Sequence, residues 1–414
     1  MNVCIYTNHF FPEDFKVNDI AFELAERGHK VTVITAIPDY PKGQYYEGYS
    51  LFLKRKEVLK NVNVIRLFRI PRGKGSKLNL MLNYLSYFIS ASIHTFFFSF
   101  RTKFDVVFVH ETSPFFIGIP AVFLSKLKKI PLCFWVLDLW PESIQSTVGI
   151  NNKLIIDLLN RVVRYVYKNC NNILISSKGF RKSILTKGPY DEKIIYFPNW
   201  AEDIKYDEGL IDIKSIYPFS VFKDTDFKIL FTGNIGEAQG LDIIIDAAYE
   251  LREINHIKWI FLGDGRYKTH LMEKVIQKNL EHTVFFLGRY PLATMPNFMA
   301  SADMLLVSLK DNILFELTVP AKVQFYMSQG KPILALLKGD GAELIKEAKC
   351  GISIDPGDVT SLVKIVKKIV SDRPYLISMG ENGREYYKDY FEKADRIKDL
   401  EDILQQEIEN KSNM

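Results

Sequence analysis

Apolar and polar positions fall in blocks along this chain, and one block pattern occurs twice. Residues 3–7 form a short apolar run, residues 8–13 are irregular, and Ile20, Leu24 and Ala25 recur at helical spacing within residues 17–27. Gly28 is a natural helix stop, and residues 31–35 are apolar again. This predicts strand, loop, helix, strand, the opening of a doubly wound α/β domain. Residues 106–109, 132–137, 173–176 and 194–197 predict further buried strands. Between about residues 201 and 225 the pattern breaks, which reads as a connection between domains. The opening then recurs as a strand at 227–231, a loop at 233–240, a helix at 241–251 and a strand at 257–262. Strands at 284–287, 304–307 and 333–337 follow. The tail from 375 to about 409 is charged and helical, with Leu400, Ile403, Leu404 and Ile408 spaced as a packing stripe. The expectation is two Rossmann-like halves, residues 1–200 and 201–384, with a terminal helix at about 385–414 docking back on the first half. Ligands of such sheets sit outside the carboxyl ends of the strands, so two halves facing across a cleft would share one site.

Residues 78–100 contain no Asp, Glu, Lys or Arg, and 23 such residues are long enough to cross a bilayer. Asn79, Asn83, Ser86, Ser90 and His94 nevertheless fall on one helical face. A spanning helix has no need of that stripe. The segment predicts a long helix with a broad apolar face, either packed in the core or lying in a membrane interface.

Composition changes this picture little. A chain of 414 residues is long for one core. Cys4, Cys133, Cys170 and Cys350 form no C-x-x-C pair, which argues against a disulfide framework or zinc site and suits a reducing cytosol. The chain opens directly on a strand pattern, with no signal-peptide pattern. Charge is informative in its distribution. Residues 1–200 hold 27 Lys+Arg against 15 Asp+Glu, a net of +12, and residues 201–414 hold 27 against 34, a net of −7. A basic half joined to an acidic half implies that the first faces something anionic. Runs such as Lys54-Arg55-Lys56 and Lys126–Lys129 also suit plain solvated faces. Basic residues are spread over many elements with no recognisable module, which ranks nucleic-acid binding last among the readings.

The stretch from Phe315 to Pro332 concentrates the chemistry. Pro320 fits a first helical turn, Val323, Tyr326 and Met327 give a buried face, and Gly330 stops the helix. Glu316 and Lys322 then flank a helix N-terminus, which offers unpaired N–H groups and partial positive charge to a phosphate. A solvated Lys and Glu on a surface helix is the bland alternative. Other loops fall at strand ends in both halves: residues 8–18, His110–Pro114 and Asp138–Ser143 in the first, Gly233–Gly236, Gly263–Gly265 and Gly288–Tyr290 in the second. Each alone is a weak signal, since a Gly-Asp-Gly is usually a turn. Their common placement is the stronger one.

These residues carry a family resemblance. Asn18-Asp19-Ile20-Ala21, residues 24–33, Pro38-Asp39-Tyr40-Pro41-Lys42-Gly43, Asp138–Ser143, the 233–240 loop, Gly263-Asp264-Gly265 and Thr318-Val319-Pro320-Ala321-Lys322 resemble the family 4 retaining glycosyltransferases of the GT-B fold. The similarity covers nearly the whole chain and is to the branch serving bacterial O-antigen, capsule and exopolysaccharide synthesis. It implies a nucleotide-sugar donor on the second half, touched by Gly233, Asn234, Gln239, Gly263, Asp264, Gly265, Arg289, Pro320 and Lys322. UDP is favoured, with an N-acetylated deoxy-hexosamine among the expected sugars. It also implies a lipid-linked saccharide acceptor on the first half, near Asn18, Glu111 and Glu142. A cytoplasmic protein, peripheral at the anionic inner face of the plasma membrane, is expected. Asp138, Glu316 and Lys322 are the catalytic candidates. Negative charge builds on the departing nucleoside diphosphate and must be met by cations and helix N-termini. No Asp-x-Asp or His cluster has ligand spacing, so no metal or other cofactor is expected.

The chain departs from the family pattern at three places. Where relatives carry an Arg and a Lys after the first strand of the second half, it has Asn234 and Gln239, both neutral, which shifts the phosphate charge onto Lys322. The second of two paired glutamates is replaced by Gln324, or by Phe325 in the alternative register, so the role of Glu316 depends on the register. The glycine-rich first loop is replaced by residues 10–15. Asp138 stands where some relatives keep a histidine near the sugar; it either accepts the acceptor's hydroxyl proton or caps the turn into Trp140-Pro141. Two other readings compete: a UDP-N-acetylhexosamine 2-epimerase of the same fold, which would turn over donor alone, and a non-catalytic sugar-nucleotide-binding assembly protein.

Overall fold

The computed structural model describes residues 1–98, 102–150, 152–202 and 204–413. The chain divides into two compact units, one made of Met1–Pro198 with Ala394–Met414, the other of Asn199–Lys393.

The first unit is built on an eight-stranded sheet. In chain order its strands are β1 (Asn2–Thr7), β2 (Lys30–Ala36), β3 (Lys56–Leu59), β4 (Val62–Leu67), β5 (Val106–Glu111), β6 (Leu132–Val136), β7 (Asn172–Ile175) and β8 (Ile194–Tyr196). They lie in the order β3-β4-β2-β1-β5-β6-β7-β8. Every pair is parallel except β3 with β4. Strands covered by helices on both faces must be apolar throughout, which is why β5 and β6 read as unbroken runs and are buried at every position. β3 and β4 did not stand out in the sequence, because β4 carries Asn63 and Arg66. Arg66 is buried and paired with Glu57 at 2.7 Å. The hairpin closes through Lys60 and Asn61, both at positive φ, the backbone that a two-residue loop requires.

The helix Lys77–Phe98 corrects the core reading of that segment; residues 99 and 100 lie outside the described residues. Its polar stripe faces inward. Asn83 donates to Asp39 Oδ2 (2.9 Å) and to Ile70 O (2.6 Å), Ser86 Oγ accepts from Ile70 N, and Ser90 Oγ donates to Phe68 O. These side chains satisfy the irregular backbone after β4, which no strand partners. Leu78, Met81, Leu85, Ile89, Ile93 and Phe97 point outward instead, Ile89 at 52% and Phe97 at 66% exposure. Among the described residues no helix is long and apolar enough to cross a membrane.

The terminal helix Lys393–Ser412 belongs to the first unit. Ile397, Leu400 and Leu404 are fully buried. Glu401 accepts from His29 and Arg27, just beyond the helix Lys16–Glu26, and Asn172 donates to Glu407.

The second unit carries six parallel strands: β9 (Phe227–Thr232), β10 (Ile257–Leu262), β11 (Val284–Gly288), β12 (Met304–Ser308), β13 (Ile333–Leu336) and β14 (Gly351–Ile354). Their order is β11-β10-β9-β12-β13-β14. The connection leading into it is more ordered than its polar sequence suggests. It makes short 3-10 turns at Ile213–Ser215 and Phe219–Val221, and Phe219 packs on Phe298 and Phe222.

Candidate active site

In the second unit the loops after β9, β10 and β11 interlock through glycines. A Cβ on Gly263 would lie 1.8 Å from Gly233 O, and one on Gly265 would lie 2.2 Å from Ile235 O. Gly233 and Gly263 have φ of 123° and 151°, backbone that side chains other than hydrogen rarely adopt. Ile235 N donates to Asp264 O, and Tyr267 N donates to Ile235 O. The loops line a cavity of about 280 Å³ that brings together Gly233, Asn234, Gly263, Asp264 and Arg289. Arg289 is largely exposed and reaches only 3.9 Å from Asp264.

Lys322 enters beside these loops from the helix Ala321–Ser328. Pro320 is the N-cap residue of that helix, one position earlier than the sequence suggested. Tyr326 ties the helix to the end of β9, its hydroxyl taking the Thr232 N–H at 3.3 Å. Lys322 Nζ lies 3.8 Å from the centre of the Phe231 ring and donates to Gln239 Oε1 at 2.9 Å. A Cβ on Gly233 would come within 2.9 Å of Lys322 Cε, so that glycine leaves the lysine its path. Burial pushes the Lys322 ammonium down from 10.5 to about 7, and no carboxylate pairs with it among the described residues. A cation held only by a neutral carbonyl is ready for an anionic partner.

Glu316 sits apart from this group. It ends the short helix Ile313–Glu316, its carbonyl backs onto Gly339, and with Lys310 and Lys338 it lines a separate small recess. Gln324 is buried, and its Oε1 has no partner among the described residues.

In the first unit Asp138 lies two residues beyond β6. Its Oδ2 accepts from Ser113 N at 3.1 Å and Ser113 Oγ at 2.7 Å, and Trp140 Nε1 donates to the same Oγ. Asp138 therefore bonds across to the loop after β5 and does not cap its own turn. Oδ1 takes no partner among the described residues.

The three acceptor-side candidates, Asn18, Glu111 and Glu142, are each hydrogen-bonded into the scaffold of the first unit. Glu111 is fully buried, and its Oε2 accepts from Leu137 N and Asp138 N at 3.1 Å. Burial, and then the Asp138 charge, raise its pKa well above the carboxylate range. It positions Asp138 from behind. Asn18 bonds Phe11 N and Glu13 O, and Glu142 accepts from Lys187 and Ser183.

Sequence reasoning missed a buried ionic cluster in the same unit. Arg69 pairs with Asp39 (2.5 Å) and Glu13 (3.3 Å), and Glu13 Oε1 also accepts the N–H groups of Asp39 and Tyr40. His9 bonds Glu13 Oε2 at 2.8 Å and stacks on Phe15. Burial lowers His9 to about 4 despite that bond, so the ring is neutral at pH 7. The members come from three loops; residues 8–18 and the Pro38–Gly43 stretch stood out singly, but nothing local marks their pairing with Arg69.

Two Rossmann-like units, one with glycine loops gathered around a half-buried cation, define a nucleotide-sugar glycosyltransferase of GT-B architecture. The sequence agrees: residues 17–202 match the model described as Glycosyltransferase Family 4, and residues 212–386 match Glycosyl transferases group 1. The chain belongs to this family of retaining, nucleotide-sugar-dependent enzymes. WcaI of Escherichia coli (strain K12), a protein assigned to glycosyl transfer in colanic acid biosynthesis, is 25% identical over 429 residues, covering 99% of each chain. The fold is similar to HepE of Anabaena in complex with UDP, with a TM-score of 0.70 at 14% identity over 98% of this chain and 100% of that one. It is also similar to WaaG, a glycosyltransferase involved in lipopolysaccharide biosynthesis, with a TM-score of 0.65 at 17% identity over 97% and 99%.

Proposed function

We propose that the protein moves a sugar from a UDP-linked donor to a lipid-linked, phosphate-bearing saccharide during surface polysaccharide synthesis. The observation that carries this reading is Lys322, a half-buried cation that pairs with no carboxylate among the described residues and stands among the glycine loops after β9 and β10. When the donor's glycosidic bond breaks, charge develops on the diphosphate, and a cation already in place stabilises it without reorganisation. The relatives' printed roles, colanic acid and lipopolysaccharide biosynthesis and a UDP complex, support the donor and the pathway class. Asp138, with one oxygen fixed on Ser113 and the other without a partner among the described residues, is assigned the acceptor hydroxyl. Titration of the purified protein with UDP, GDP and ADP by calorimetry tests the donor. Binding of UDP alone is expected, and equal affinity for all three would remove the assignment.

The acceptor is reached at a membrane. The outward face of the helix Lys77–Phe98 continues into the helix Gly118–Lys128 through the Phe96–Phe123 ring contact. Beside Phe123 and Leu127 stand Lys126, Lys128 and Lys129. Exposed apolar residues fringed with lysines fit the interface of an anionic bilayer, where each basic residue contributes on the order of 1 kcal/mol.

A further inference from the structure

Arg72 is the one member of the first unit's buried loop cluster whose charge touches no carboxylate among the described residues. Its guanidinium lies over two rings, 4.9 Å from the centre of Tyr40 and 5.9 Å from that of Tyr84. Its backbone N–H is fixed on Asp39 Oδ2 at 2.8 Å. Nη2 is 3.3 Å from His9 Nε2, and His9 Nδ1 is 2.8 Å from Glu13. A neutral His9 that donates from Nδ1 to Glu13 must accept at Nε2, so the chain Arg72 to His9 to Glu13 sets the plane of the guanidinium. His9 is thus a positioning residue.

What remains is a cation held flat and in place with donors to spare. Its Nε is buried without a partner among the described residues. Tyr40 and Tyr84 stay partly open, and Tyr84 lies close enough to Asp138 for both that charge and Arg72 to act on its hydroxyl. Two carboxylates stand within the cluster, yet both are taken by Arg69. Planar guanidinium forks match phosphate oxygens in pairs, and stacking on aromatic rings reduces the cost of ordering them.

We propose that Arg72, clamped between Tyr40 and Tyr84, is the phosphate-recognition residue for the acceptor. The inference rests on the reading of a phosphate-bearing acceptor and adds the group that selects it. The ligand chemistry is a phosphate or diphosphate ester, from a lipid headgroup or from a free anion.

The test is calorimetry on the full chain with UDP present throughout, so that the donor loops are already filled. The probes are geranyl diphosphate, inorganic diphosphate and geraniol. Geranyl diphosphate is expected to bind, more tightly than inorganic diphosphate, and geraniol is not. Arg72→Gln should weaken diphosphate binding roughly tenfold or more, with Arg72→Lys in between. Equal affinity for the two diphosphates would overturn the lipid assignment, and unchanged binding in Arg72→Gln, or none in the wild type, would overturn the site. Should Arg72→Gln fail to fold, Tyr84→Leu, which keeps the bonds to Asp39 and His9, must show a loss. UDP affinity should be the same in all variants. If UDP itself does not bind, the donor reading fails while the Arg72 comparison stays legible without nucleotide.

Discussion

At the scale of single residues, Lys322 carries the sharpest expectations. Lys322→Ala should lower turnover by roughly two orders of magnitude, as loss of a main group stabilising a developing anion does; near-normal rates in a folded variant would remove it from the mechanism. Its titration adds a second expectation. The free protein holds the ammonium at about 7 against an ordinary 10.5, and a bound diphosphate raises it again. Between those values the complex therefore holds more protons than the free protein, and affinity for UDP falls as pH rises through the window. Calorimetry midway through it, in two buffers of different ionisation enthalpy, should give heats that differ by proton uptake. Identical heats would show that Lys322 is already charged. Asp138→Asn should impair transfer and leave UDP affinity intact, and loss of UDP binding in a folded variant would contradict its acceptor-side role. Lys322 was legible because Pro-x-Lys before a helical pattern is a local signal. The cluster of His9, Glu13, Asp39, Arg69 and Arg72 was not, because its members meet only after β1, β2 and β4 have paired. The scaffold roles of Asn18, Glu111 and Glu142 were hidden for the same reason: a sequence shows a polar side chain at a strand end, not whether a backbone N–H already occupies it.

At the scale of elements, the glycine loops make a different kind of claim. Gly263→Ala should cost on the order of 1–3 kcal/mol through contact with the Gly233 carbonyl. It should abolish UDP binding at temperatures where the protein remains folded; a variant that binds normally would mean that the loops can separate. The helix Lys77–Phe98 shows where periodicity stops being informative. Spacing places Asn83, Ser86 and Ser90 on one face, but only the unpartnered backbone after β4 decides that this face is the inner one. Docking through the outer face is tested by sedimentation with liposomes. Binding should need anionic lipid, weaken in high salt, and drop for Ile89→Asp or for glutamine at Lys126, Lys128 and Lys129. Protein left in the supernatant with anionic vesicles at low salt would make the face a plain surface. Resistance to both salt and carbonate would mean deeper insertion than an interfacial helix gives.

At the scale of the whole molecule, the α/β pattern and its repetition were readable because both-faces-buried parallel strands advertise themselves as apolar runs. The stripe at Leu400 and Leu404 pointed to a terminal helix docking on the first half from about residue 385; the helix that belongs to the first unit starts at Lys393, and the residues before it stay with the second unit. Ending the chain at Glu392 should uncover the sites of Ile397, Leu400 and Leu404, three side chains worth roughly 1.5–3 kcal/mol each. That sum is comparable to the entire stability of a typical domain. A truncated chain that melts like the full one would show the helix to be ornamental. The terminal helix has a further consequence, in time. Synthesis delivers the second unit whole, from Asn199 to Lys393, while the first still lacks its last helix. The domain begun first is thus completed only after the second has been made. Until residues 394–413 emerge, the surface that buries Leu400 is bare on a nascent chain, and a pause in synthesis just after Lys393 would hold it in that state for chaperones to find.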